Sequence, residues 1–105
     1  MDDNAEHHAP PDLRVHDDDV AHRFVVTLDG EPAGFAAYER SGSAVTFTHT
    51  VVDEHLEGRG IGSSLIAHAL DDARARHLTV VPRCEFVAAF IEDHPEYRDL
   101  TGRRG

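Results

Sequence analysis

Ala44-Val45-Thr46-Phe47-Thr48-His49-Thr50-Val51-Val52, then Glu57-Gly58-Arg59-Gly60-Ile61-Gly62-Ser63-Ser64, then Leu65 through Leu70, then Leu78-Thr79-Val80-Val81-Pro82 is the stretch that decides the fold. Its first block alternates. Strict alternation puts Val45, Phe47, His49 and Val51 on one face of a strand and Thr46, Thr48 and Thr50 on the other. The period then changes. Ile61, Leu65, Ile66, Ala69, Leu70 and Ala73 share one face of an α-helix, predicted from about 61 to 76. The next apolar run, 78–84, reads as a strand ending at Pro82. Strand, helix and strand make a βαβ unit, whose two strands are parallel with a right-handed crossover.

Working outward, the segment before this unit is built of short strands and tight turns. Leu13 and Val15 alternate, and Asp17-Asp18-Asp19 reads as a turn. Phe24 to Leu28 is a β-branched run ending in the turn Asp29-Gly30-Glu31-Pro32. Ala33 to Arg40 is the next strand, and Ser41-Gly42-Ser43 is its turn. Short turns imply an antiparallel meander. Downstream, Phe86, Val87, Phe90 and Ile91 define a second helix that Pro95 stops near His94. The predicted fold is α/β (mixed α+β): an antiparallel meander continued by one parallel strand, with two helices. Residues 1–12 read as a disordered acidic tail and 13–105 as one domain.

Composition narrows the function. The chain has 105 residues, 10 Lys+Arg against 20 Asp+Glu, and a net charge of -10. All ten basic residues are Arg, so no Lys amine is available for Schiff-base chemistry. A chain this acidic lacks the cationic field that binding to nucleic acid or an anionic membrane requires. No apolar run reaches the ~18 residues of a transmembrane helix, and the first residues carry no secretory signal, so a cytoplasmic location is expected. A single cysteine, Cys84, excludes an internal disulfide and any Cys-rich zinc site. The histidines show no metal-ligand spacing, and no metal is expected. No coiled-coil pattern or apolar stripe predicts an assembly beyond a monomer or weak dimer.

The glycines of 58–62 precede the helix start, where free N–H groups and the positive dipole end favour an anion, most naturally phosphate. A P-loop needs Lys, which the chain lacks. The dinucleotide pattern G-x-G-x-x-G, started at Gly58, meets Ser63 where its third glycine belongs, and one βαβ unit cannot form a doubly wound sheet.

Thr50-Val51-Val52, five residues, then Gly58-Arg59-Gly60-Ile61-Gly62-Ser63 resembles motif A of the GNAT superfamily of N-acetyltransferases. The segment Pro82-x-Cys84-x-Phe86-Val87-x-x-Phe90 with His94-Pro95-Glu96-Tyr97 looks like the short, YjdJ-type branch of that superfamily. The resemblance runs from about residue 22 to residue 100. It implies a minimal, single-domain acetyl-CoA-dependent N-acetyltransferase acting on a primary amine of a small molecule or protein. The alternative is a non-catalytic acetyl-CoA or CoA-binding module read by a partner protein. By the resemblance, Thr50, Val51 and Val52 bind the pantetheine arm through their backbone. Gly58, Arg59, Gly60, Ile61, Gly62 and Ser63 form the pyrophosphate site. Glu57 stands where the superfamily has Arg or Gln and cannot donate to phosphate, so backbone amides are expected to carry that contact.

Acetyl transfer needs a neutral amine, hence a base or a desolvated site. Two residues are expected to carry the chemistry. Cys84 falls at the start of the second helix, where a helix N-terminus favours thiolate, beside Arg83. His49, placed by alternation on the Val45/Phe47/Val51 face, is the candidate base. Tyr97 is a further candidate, as the acid for the departing thiolate.

Overall fold

The computed structural model describes residues 12–56 and 58–102. The expected tail, apart from Asp12, and Glu57 lie outside the described residues. Five strands form one sheet in sequence order: β1 (Leu13–Asp18), β2 (Arg23–Leu28), β3 (Glu31–Ser41), β4 (Ala44–Val52) and β5 (Thr79–Pro82). The first four pair antiparallel as a meander. β5 pairs parallel with β4, from Ala44↔Thr79 to Phe47↔Pro82. Helix α1 (Ile61–Ala75) joins β4 to β5, and α2 (Glu85–Asp93) comes after β5. Two 3-10 segments, Glu54–Leu56 and Pro95–Thr101, complete the described chain. The mixed sheet expected from the sequence is therefore present, with the two 3-10 turns added to its two helices.

One core holds both layers together. Phe24, Val26, Ala36, Tyr38, Val45, Phe47 and Val80 of the strands meet Leu65, Ile66, Ala69 and Leu70 of α1 and Val87, Phe90 and Ile91 of α2. The helical stripe read from Ile61 to Ala73 is the buried face of α1. The 3-10 segment after α2 is tied back to α1. Arg74 donates to both carboxylate oxygens of Asp99 (2.9 and 3.0 Å) and to the Glu96 carbonyl (2.8 Å), and the Tyr97 hydroxyl donates to Asp71 (2.9 Å). Among the described residues no helix is long and apolar enough to cross a membrane.

Several local expectations are corrected. Asp17 and Asp18 belong to β1 rather than to a turn. Asp17 is held there because its carboxylate accepts the Tyr38 hydroxyl at 2.6 Å on the core side. β5 is shorter than 78–84, because Pro82 cannot donate to a ladder and the chain turns at Arg83, whose N–H bonds the Val81 carbonyl.

The largest correction concerns β4. The β3–β4 register shifts between Ala37 and Tyr38: Tyr38 faces Phe47, Ala37 faces His49, and Thr48 is left over. A residue without a partner is a β-bulge, and it reverses the phase of the strand. Val45 and Phe47 point into the core. Beyond the bulge Thr50 and Val52 do so, while His49 and Val51 turn to the opposite face. His49 therefore does not share a face with Val45 and Phe47. It is exposed, edge-on to Phe35 on the uncovered side of the sheet.

Candidate functional site

β4 outruns β5. Its ladder with β5 ends at Phe47↔Pro82, so Thr48 to Val52 have no neighbouring strand on that side. The Asp53 N–H bonds the Ala33 carbonyl, and the Val51 carbonyl lies against Gly34; both are turned toward β3. By alternation, the N–H and C=O groups of Thr50 and Val52 point the other way, into the opening. A strand edge with free donors and acceptors is a template for an extended, amide-bearing ligand.

The opening is a cleft of about 460 Å³ lined by Thr50, Val52, Leu56, Gly58, Gly60, Ile61, Gly62, Ser63 and Phe86. At one end lies the start of α1. Gly60 is the N-cap, at φ 75° and ψ 10°, with no side-chain cap and no acid in the first helical turn. Gly58 and Gly60 both have positive φ, and an added Cβ at either meets no protein atom within 4 Å. Their bare backbone opens onto the cleft. The N–H groups of the first helical turn have no intrahelical acceptor and carry the positive end of the dipole. This end of the cleft is built for an anion.

At the other end lies Cys84. It is the N-cap of α2, is 8% exposed, and its N–H bonds the Phe47 carbonyl at 3.0 Å. Its Sγ is 3.4 Å from Oγ1 of Thr50. The bulge makes this contact, because only the reversed phase brings Thr50 inward.

The predicted site residues thus sort by position. Thr50, Val52, Gly58, Gly60, Ile61, Gly62 and Ser63 line one cleft, with Cys84 touching Thr50 at its end. Val51 does not line it; its side chain is 46% exposed on the far face. Arg59 is exposed beside the cleft. His49 and Cys84 lie on opposite faces of β4. Tyr97 is away from the cleft: its hydroxyl donates to Asp71, and burial together with that bond raises its pKa. Sequence reasoning missed Leu56 and Phe86 as lining residues. Phe86 carried a signal, since it breaks the inward pattern of α2, where Val87, Phe90 and Ile91 form the buried face.

An anion end, a bare glycine cradle and a free strand edge together suit an elongated ligand with an anionic head and an amide-bearing arm. Among the described residues no group of three or more His, Cys, Asp or Glu is placed to hold a metal.

The GCN5-related N-acetyl-transferase family model matches residues 23–100. No curated protein matches the chain. Several solved structures share its fold. A GCN5-like protein from Staphylococcus aureus, solved in solution by NMR, has a TM-score of 0.63 at 20% identity, over 85% of each chain. A ribosomal-protein-alanine N-acetyltransferase from Brucella melitensis biovar Abortus 2308 has a TM-score of 0.55 at 20% identity, over 79% of this chain and 63% of that one. Ard1 from Thermoplasma volcanium has a TM-score of 0.51 at 24% identity, over 56% of this chain and 41% of that one. The chain spans less than two thirds of the length of the last two. With the family match covering β2 through α2 and nearly all of the 3-10 segment beyond it, the chain belongs to the GCN5-related N-acetyltransferase family.

Proposed function

We propose that the protein moves an acetyl group from acetyl-CoA to a primary amine of a small molecule or a protein. The observation that carries this reading is the single cleft that joins the α1 glycine cradle to the open edge of β4 and ends at the Thr50–Cys84 contact. The phosphates bind the first-turn amides of α1 and the bare backbone of Gly58 and Gly60. The arm bonds the free N–H and C=O groups of Thr50 and Val52. Its thioester end then reaches Cys84. Val51 supports the arm only by keeping β4 fixed to β3, and Arg59 supplies a positive charge at the rim.

In the transfer, the neutral amine nitrogen attacks the acetyl carbonyl carbon, the carbon–sulfur bond breaks, and the thiolate leaves as the amine loses its proton. Cys84 and the Thr50 hydroxyl border the acetyl group and exclude water from it. His49 lies on the bare face of the sheet, so its role as base requires the acceptor to arrive from that face, with the proton passing to its imidazole. An acceptor amine is cationic when free, and a chain of net charge -10 attracts it. The same reading puts the protein with the cytoplasmic acetyl-CoA pool, as a monomer or weak dimer of the short, YjdJ-type branch.

The test is purified protein with acetyl-CoA and a panel of amines and peptides, monitored by free-thiol release and product mass. Thiol release that rises with a particular amine, and an acetylated product, support the reading. Tight acetyl-CoA binding with no release for any amine makes the protein a binding module. No binding refutes the site.

A further inference from the structure

Both helices pack on one face of the sheet, and among the described residues no helix packs on the other. Register orders that bare face into rows. His16, Val25, Phe35 and Val51 stand opposite one another across β1 to β4 and form the middle row. Its apolar members line a groove of about 310 Å³ together with Pro32. Val51 is 46% exposed, and Val25 and Phe35 are half-buried. The Phe35 ring is flanked only by polar groups of its own chain: the Arg23 guanidinium lies 4.6 Å over it and His49 stands edge-on. Two residues to one side, the next row runs Asp18, Arg23, Ala37, His49. Two residues to the other side, Arg14 stands opposite Thr27, and Asp53 bonds Ala33. Acceptors and donors therefore alternate round the four corners of the face: Asp18, His49, Asp53, Arg14. Their capacity is not exhausted within the chain. Arg14 meets Asp12 through Nε alone, at 3.0 Å, and Asp18 gives one oxygen to the Ala21 N–H, at 3.2 Å. The Asp53 carboxylate has no hydrogen-bond partner among the described residues.

A pattern that alternates round four corners is complementary to itself. A half turn about an axis lying in the face, across or along the strands, sets Asp18 over Arg14 of the partner subunit or over His49 of the partner subunit. Asp53 meets the remaining donor, and the apolar row falls on itself. A partner of one charge sign, such as a basic peptide, meets like charge at two corners. A second copy meets opposite charge at all four, and a two-fold contact uses the same patch from both copies. We propose that this face is the contact between two copies of the chain, a weak dimer of aligned sheets about 10 Å apart. Four strands at about 4.8 Å and six residues at about 3.3 Å give a footprint of roughly 400 Å² per copy. That is half of the ~800 Å² per partner in a standard complex, and two chains of net charge -10 also repel. The dimer is therefore in exchange with its monomer. The coenzyme A cleft lies on the helix side of the sheet and does not enter this argument. On the acetyl-transfer reading, pairing covers His49, so the acceptor route over this face belongs to the monomer.

The experiment is sedimentation equilibrium on the intact chain. The wild type is expected to dimerise with a dissociation constant of about 0.1–1 mM, as suits so small an interface. Asp18→Arg and Asp53→Arg are each expected to weaken the dimer about tenfold, because each reversal enters a two-fold contact twice and sets like charges together. The direction of the change decides. Either reversal removes one negative charge and adds one positive, taking the net charge from -10 to -8, which by itself relieves repulsion between copies. Asp93→Arg makes the same net change on the exposed side of α2 and is expected not to weaken the dimer. Val25→Ser, in the apolar row, is expected to weaken it. An unchanged far-ultraviolet circular dichroism spectrum shows that each variant is folded. A wild type that stays monomeric well above that concentration range overturns the proposal. So does a dimer that Asp18→Arg and Asp53→Arg leave intact or tighten, because the contact would then lie elsewhere. Neither result bears on the coenzyme A reading, which calorimetry tests separately.

Discussion

Gly60→Ala separates the strain at the helix start from the binding that the helix start provides. Gly60 has φ 75°, in the left-handed region where an L side chain costs about 1–2 kcal/mol. An added Cβ there meets no protein atom within 4 Å, so the folded chain gains no clash and the whole stability cost is backbone strain. For a domain this size that is a melting temperature lower by about 4–8 °C for each kcal/mol. The methyl group does, however, project over bare backbone that opens onto the cleft. Displacing an anion from even one charge-assisted N–H bond removes about 1.5–3 kcal/mol, which is roughly a 10–100-fold loss of affinity. Gly42→Ala is the control. Gly42 has φ 58° and also nothing within 4 Å, but it sits in the β3–β4 turn, at the far end of β4 from the cleft. Both variants should melt earlier by similar amounts, and only Gly60→Ala should lose affinity for coenzyme A in calorimetry. Wild-type affinity in a folded Gly60→Ala chain, or an equal loss in Gly42→Ala, refutes the assignment of the anion site to this loop.

The packing sets three further outcomes. Cys84→Ala is expected to lower kcat while leaving coenzyme A affinity unchanged. Intact mass after mixing with acetyl-CoA alone should show an unmodified chain, whereas one hydroxylamine-labile acetyl group that vanishes in Cys84→Ala would establish a two-step route through an acetyl-cysteine. Both tyrosines, Tyr38 and Tyr97, have pKa values raised first by burial and then by bonds to Asp17 and Asp71. A raised phenol contributes stability that is fully present below its ordinary value near ~10 and is lost as pH rises through its folded value. Alkaline titration should therefore show no half-ionised tyrosine near pH ~10 until the chain unfolds, and phenolate appearing there in folded protein would contradict the structure. Leu70→Ala, at a side chain with no exposure in the core, should cost about 2–5 kcal/mol in denaturant melts, and a loss under ~1 kcal/mol would mean that α1 does not pack as described.

The legible parts of the fold were those with an uninterrupted period. The α1 stripe runs from Ile61 to Ala73 without a break and is the buried face observed. The change from alternation to helical spacing, with glycines between, places the anion end of the cleft. Pro95 marks the end of α2 and Cys84 its start, as the sequence implies. The illegible part was β4. Strict alternation assumes one residue per partner, and the unpartnered Thr48 breaks that assumption. The error carried His49 to the wrong face and hid the inward turn of Thr50 toward Cys84. A bulge is set by the match between two strands, and neither strand reveals it alone. Gly62 was illegible for a related reason. In the chain it looks like Gly58 and Gly60, and only the ring of Phe86, 24 positions along the sequence and 2.8 Å from where a Cβ at Gly62 would lie, tells it apart.

The mismatch in length between β4 and β5 has a consequence for turnover in the cell. If the protein binds acetyl-CoA as proposed, the ligand supplies the missing neighbour of Thr50 and Val52, so the sheet is complete only when occupied. Amide hydrogens at those two positions should exchange quickly in the empty protein and slowly once coenzyme A is bound. Ligand at a hundred times its dissociation constant adds about 2.7 kcal/mol to the folded state. The resistance of this small protein to proteolysis would then rise and fall with the acetyl-CoA supply, tying the enzyme's abundance to the metabolic state that feeds it.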